Sequence, residues 1–239
     1  MVKIKESISG LDDLTRYGGK YAERGEFRDY SSEVVHGNYT DLSVTPGYLR
    51  FNGETPVLDN YVIDTQNNMM MVDDHNHALA GWTAALYEGL FDSKPVLIHV
   101  DYHEDGGNPP QQFNEELPLT IESLEEQTHL IEIDEFIEAG KKWDLFDEVI
   151  EVGVQSTETT ISEDIDQMNQ ALNKYEAAIM DVDLDVYNIH NLEKGFDHQI
   201  AQGISNADFT TFATSPGYVL NQEEAIEKIG KLVELSKDL

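Results

Sequence analysis

The chain reads as an α/β protein, with helices on both faces of a mostly parallel central sheet in a three-layer αβα arrangement. Three observations predict it. From about residue 57 onward, short apolar runs alternate with segments of helical spacing. Runs such as PVLIHV and AAIM are almost wholly apolar, as strands buried on both faces are. Acidic and histidine residues gather directly after three such runs, in MMMVDDH, VLIHVDYHED and AAIMDVDLD. Strands alternating with helices of roughly 10–15 residues imply a mostly parallel sheet covered on both sides.

The elements follow in order. Residues 1–56 are polar and irregular, rich in Tyr, Gly and Ser, and read as an arm packed on the main body. Residues 57–239 form the main body, with no internal repeat or low-complexity linker to divide it. VLDNYVIDT and NMMMV are short strands. The next segment places Ala78, Trp82, Ala85, Leu86 and Leu90 at helical spacing. PVLIHV is a buried strand, and the polar loop 106–118 follows, with Gly106, Gly107, Pro109 and Pro110. IESLEEQTH reads as a helix, LIEI as a short strand, DEFIEAGKKWDLF as a helix and EVIEVGVQS as a strand. SEDIDQMNQALNKY is amphipathic and acidic at its start, which suits a helix N-terminus. AAIMDVDLDVY and ADFTTFATSP are two further strands, and NQEEAIEKIGKLVELSK closes the chain as a helix.

Composition narrows the function classes. The 239 residues are 40% hydrophobic, enough for a sizeable core. There is no cysteine, which excludes disulfides, thiolate metal sites and cysteine nucleophiles. No apolar run reaches about 18 residues, so no transmembrane helix is expected. The first residues lack the apolar stretch of a secretory signal, and a cytoplasmic location is expected. The net charge of -32, from 47 acidic and 15 basic residues, opposes binding to nucleic acid or anionic membranes. Acids scattered over the whole chain, with little lysine, suit a halophilic protein whose self-repulsion is screened by salt.

The clusters carry the chemistry. Asp101, His103 and Asp105 alternate, so in an extended segment their side chains share one face. Asp and His together suit a divalent ion such as manganese or zinc; a polar strand end entering an acidic loop is the plainer reading. His99 has the same parity but lies deeper in the strand, and reads as a support or core residue. Asp181, Asp183 and Asp185 alternate likewise, and buried carboxylates are costly unless paired or bound to metal. A solvated loop beginning after Met180 is the alternative. In MVDDHNHAL, Asp74 suits a helix N-cap, and His75 and His77 are competing ligand candidates or first-turn surface residues. In an open parallel sheet, ligands bind beyond the carboxyl ends of the strands, so the three clusters can converge. A two-metal site needs bridging carboxylates around ions about 3.5–4 Å apart, and these segments supply the right ligand types.

A strand-end Asp-His, then Asp-x-His-x-Asp, then Asp-x-Asp, resembles the metal signature of the arginase/agmatinase/deacetylase superfamily. DDHNHALAGW, VLIHVDYHED, LIEIDEFI, IMDVDLDVY and FATSPGYVLNQEEAIEKI are nearest an uncharacterised family related to the peptide arginases. The resemblance implies an arginase-like fold and two Mn2+ ions, with zinc or another divalent metal as the alternative. By position, the first ion would be held by His75, Asp101, Asp105 and Asp181, and the second by Asp101, His103, Asp181 and Asp183. It implies hydrolysis of a C–N bond by a metal-bridging hydroxide, on a guanidino group of a small molecule or peptide, releasing urea. Asp183 or Asp185 would accept the water's proton, and His129 and His190 are candidate acids for the leaving amine. Ala-Thr-Ser-Pro-Gly at 213–217 stands where arginases carry a substrate-binding Glu, so free arginine is not the implied substrate. A zinc-type amidohydrolase on the same fold is an alternative, although no adjacent His-His pair is present. A non-catalytic metal-binding protein is another. A homo-oligomer is compatible with the sequence.

Overall fold

The computed structural model describes residues 26–28, 34–36, 61–64, 67–72, 75–154, 160–188, 192, 195–215 and 222–239. The arm expected over 1–56 lies outside these, apart from β1 (Glu26–Arg28) and β2 (Val34–His36), which pair antiparallel.

The main sheet has six strands: β3 (Tyr61–Asp64), β4 (Met69–Val72), β5 (Val96–Val100), β6 (Glu148–Val152), β7 (Ala178–Asp183) and β8 (Phe209–Ala213). Their order is β3-β4-β8-β7-β5-β6. Among the described residues, β3 runs antiparallel to β4, and the five strands from β4 to β6 in that order run parallel. The fold class expected from the sequence, a mostly parallel sheet in an αβα sandwich, is the fold observed.

Residues two apart on a strand share a face, and the two faces bury different helices. Leu97 of β5, Ile179 of β7 and Phe209 of β8 pack with α1 (Ala78–Tyr87), α2 (Ile121–Leu130) and α3 (Phe136–Lys142). Ile98, Met180 and Phe212 face the opposite way, toward α4 (Ile161–Lys174), α5 (Phe196–Asn206) and α6 (Gln222–Lys237). Local signals start these helices. Thr120 caps α2 by accepting the Ser123 N–H at 3.2 Å. Thr160 and Glu163 form a capping box on α4, each side chain taking the other's backbone N–H.

Two expectations change. LIEI is not a strand: α2 runs to Leu130 and a turn follows. The backbone there serves side chains instead of a ladder, since Asn76 Nδ2 donates to the Ile131 carbonyl at 3.1 Å and Glu135 accepts the Glu132 N–H at 2.8 Å. Helix α5 was not expected, although Phe196, Ile200, Ala201 and Ile204 have helical spacing and are buried. Among the described residues, no helix is long and apolar enough to cross a membrane.

Candidate metal centre

Four segments meet at the carboxyl edge of the sheet, on the face covered by α1–α3. One is the 3-10 turn His75–His77 between β4 and α1. The second is β5 with the residues after it, and the third is β7 with the 3-10 turn Leu184–Asn188. The fourth is the end of β8. His75, His99, Asp101, Asp105, Asp181, Asp183 and Asp185 are all buried there, while His103 is 45% exposed at the rim.

Strand register sets the depth of each group. His99 pairs across with Asp181, and Asp181 with Thr211. Val100 pairs with Val182, so Asp101 comes level with Asp183, not Asp181. Asp101 continues the ladder by donating its N–H to the Val152 carbonyl at 3.1 Å.

Asp181 is engaged on both oxygens. Its Oδ2 accepts from His75 Nε2 and from His99 Nδ1, each at 2.9 Å, and its Oδ1 accepts the Thr211 hydroxyl. Thr211 Oγ1 in turn accepts the Trp82 indole N–H at 3.2 Å. A carboxylate only accepts, so the protons lie on His75 Nε2 and His99 Nδ1. The other nitrogens, His75 Nδ1 and His99 Nε2, then face the remaining carboxylates. His75 Nδ1 lies 3.3 Å from Asp101 Oδ2, 3.2 Å from Asp105 Oδ2 and 3.2 Å from Asp183 Oδ2. His99 Nε2 lies 3.4 Å from Asp101 Oδ2 and 3.8 Å from Asp105 Oδ2.

These atoms have the spacing of ligands around an ion. Donors bound at about 2.0–2.1 Å in a tetrahedron are roughly 3.3–3.4 Å apart. His75 Nδ1, His99 Nε2 and Asp101 Oδ2 are buried and make no hydrogen bond. One ring N–H cannot serve three carboxylates, whereas a cation among them satisfies all. The donor set therefore fits a divalent metal ion. A second group, Asp101, His103 and Asp185, also converges within ligand distance. There His103 Nδ1 is 2.8 Å from Asp185 Oδ2 and 3.6 Å from Asp101 Oδ1.

Backbone devices aim the carboxylates. Asp105 has φ +46°, a left-handed conformation uncommon for a residue with a side chain, and it returns its carboxylate toward His75. Ser215 has φ +40° and donates its hydroxyl to Asp183 Oδ2. Asp183 Oδ1 accepts the Asp185 N–H at 2.8 Å, and Asp101 Oδ1 the His103 N–H at 2.7 Å. The loop after the triplet is tied down where Gly107 donates to the Asp134 carbonyl at 2.7 Å. A Cβ on Gly107 would sit 2.9 Å from that oxygen, so the approach needs glycine. Phe136 walls the imidazoles from below, its ring 4.4 Å from that of His75 and 6.0 Å from that of His99.

Without metal, the cluster holds more negative charge than it can keep ionised. Burial pushes Asp105 up to about 6, and burial with the Asp183 and Asp101 charges pushes Asp185 up to about 8. Burial and Asp101 also raise Asp183. Burial opposes charge on Asp181 too, but the two imidazoles prevail and lower it to about 2. Burial likewise disfavours His75 and His99 as cations. The Asp181 charge and the nearby Asp101 and Asp105 carboxylates nevertheless hold His75 well above its usual range, and Asp181 with Asp101 holds His99 at about 8. The neighbouring Asp101 and Asp185 carboxylates hold His103 at about 9. Protons occupy, in effect, the place of cations.

The structure brings together His75, Asp101, His103, Asp105, Asp181, Asp183 and Asp185. His77 is buried but belongs to neither converging group. His99, read from the sequence as a support or core residue, has an unpartnered nitrogen inside the cluster; its shared parity with Asp101 is the signal that could have found it. His129 lies on α2, and its side chain is outside the described residues, as are His190 and Asp74.

No family model matches the chain, and no curated protein matches it in sequence. Among solved structures, it is similar to proclavaminate amidino hydrolase from Streptomyces clavuligerus, with 15% identity and a TM-score of 0.44 over 70% of this chain and 62% of that one. It is similar to arginase from Bacillus subtilis, with 11% identity and a TM-score of 0.41 over 70% of each chain. Formimidoylglutamase from Bacillus subtilis subsp. subtilis strain 168 gives 12% identity and a TM-score of 0.38 over 70% of this chain and 59% of that one. The chain thus spans less than two thirds of the first of these. The likeness concerns overall fold.

Proposed function

We propose that the chain is a binuclear metal-dependent hydrolase acting on a C–N bond, with a guanidino group as the substrate class. The observation that carries the metal reading is the convergence of three buried, unpartnered ligand atoms, on His75, His99 and Asp101, among further carboxylates. The guanidino class rests on the motif resemblance. Asp101, His103 and Asp185 would hold one ion, and His75, Asp101 and Asp105, with Asp183 beside His75, the other. Bound there, divalent ions would supply Lewis acidity and lower the pKa of water.

The residues of the chain have separate tasks. Asp101 faces both groups and is the natural bridge. Asp183, steadied by Ser215, keeps its second oxygen on the Asp185 N–H and so fixes the turn after β7. His103 is the solvent-exposed member of the cluster. Phe136 packs against the His75 ring and backs the site from within.

The test is an activity screen of Mn2+- or Zn2+-loaded protein in high salt. Arginine-containing peptides and small guanidino compounds would be assayed for urea release, beside acetylated amines for acetate release. Urea release lost in Asp101→Asn supports the reading. Acetate release alone, or a metal-loaded protein inert to every substrate class, refutes the guanidino assignment.

A further inference from the structure

We propose that Asp181 is a positioning residue and not a metal ligand, and that by fixing two imidazoles it makes His99 a ligand beside His75. The inference deepens the metal-hydrolase reading and rests on it.

Asp181 sits one pleat further into the sheet than Asp101 and Asp183, level with His99 and Thr211. Its oxygens are spent: Oδ2 on His75 Nε2 and His99 Nδ1, Oδ1 on Thr211. A fully engaged carboxylate behind metal-binding histidines is the usual device for fixing tautomer and ring orientation. Here one carboxylate serves two rings. Trp82 anchors the chain from the far side, because its N–H occupies the Thr211 oxygen and leaves the Thr211 proton for Asp181.

The consequence appears at the opposite ring atoms. With both rings protonated toward Asp181, His75 Nδ1 and His99 Nε2 present lone pairs to one point once a cation replaces the protons there. His75 Nδ1 and His99 Nε2 lie 3.3 and 3.4 Å from the same atom, Asp101 Oδ2. Both nitrogens are buried and unpartnered. A support residue would have its second nitrogen satisfied; His99 does not. The first metal position is therefore two imidazoles with Asp101 and Asp105.

The experiment uses the full chain loaded with Co2+, and proton NMR of the hyperfine-shifted, solvent-exchangeable ring N–H signals. Wild type is expected to show three, one each from His75, His99 and His103, with the two that donate to Asp181 exchanging slowest. His99→Ala should remove one signal and abolish stoichiometric binding at the first position. Asp181→Asn should keep both ions at saturating metal but weaken the first about 10–100-fold. Two shifted signals in wild type, with unchanged metal content in His99→Ala, would overturn the proposal and leave the metal reading standing. The wild-type count does not depend on whether a variant folds. Wild type that binds no Co2+ would overturn both.

Discussion

Asp181 stands in register with Thr211 on the neighbouring strand and accepts its hydroxyl proton, while Thr211 accepts the indole N–H of Trp82. Two side chains on two further elements thus help hold one buried charge in place. Thr211→Val keeps the shape but removes the hydroxyl, leaving the Trp82 N–H and one Asp181 oxygen unsatisfied. The expected cost is about 1–3 kcal/mol, read as a lowered denaturant midpoint at constant m-value. An unchanged midpoint would mean that the chain of bonds contributes nothing.

The metal-free chain should lose stability as pH rises. Asp105 and Asp185 are raised to about 6 and about 8, and Asp183 is raised as well, so the folded state keeps protons that the unfolded chain sheds above about pH 4. His99 and His103, at about 8 and about 9, keep protons that the unfolded chain sheds above about pH 6.5. All five contributions have one sign, and stability falls through these windows up to about pH 9. Asp101 and Asp181 are lowered, so their contribution is lost only in acid, below about pH 4. Thermal melts from pH 6 to 9 should show a falling Tm without metal and a flatter one with saturating Mn2+, because metal takes the protons' place. A metal-free Tm that rises over this range contradicts the account.

Ser215 separates backbone strain from hydrogen bonding. At φ +40° a side chain is disfavoured, yet its hydroxyl holds Asp183. Ser215→Ala loses the bond and keeps the strain; Ser215→Gly loses the bond and relieves the strain. The glycine variant should be the more stable of the two, by roughly 1 kcal/mol. Both should bind metal more weakly than wild type, by about 10–100-fold if Asp183 depends on this support. Equal metal affinity in all three proteins would show that Ser215 does not orient Asp183.

Salt dependence follows from the net charge of -32. Raising KCl from about 0.1 M to about 1 M shortens the Debye length from about 10 Å to about 3 Å. Surface self-repulsion is then screened, and Tm should climb by several degrees. A flat profile would remove the halophilic reading.

Much of this was legible in the sequence. Apolar runs ending in alternating acids marked the strand ends, and the 3.6-residue spacing of Ala78, Trp82 and Ala85 marked α1. Depth was not legible. Asp181, Asp183 and Asp185 have the same parity, so alternation alone cannot tell which of them comes level with Asp101. That is set by the pairing of Val100 with Val182, a relation between residues 82 positions apart. His99 shows the same limit: inside an apolar strand it resembles a core histidine until its partner across the ladder, Asp181, is known. Helix α5 escaped because Gln, Gly and Asp interrupt its apolar stripe, although Phe196, Ile200 and Ile204 keep the period.

The most direct measurement is elemental analysis of the full chain, purified in high salt without chelator and re-equilibrated with Mn2+ or Zn2+, beside Asp101→Asn. Wild type is expected to hold about two divalent ions per chain, and Asp101→Asn, which changes the carboxylate that faces each group, to lose both. Wild type that retains no stoichiometric metal, or Asp101→Asn that binds as much as wild type, would contradict the two-metal reading.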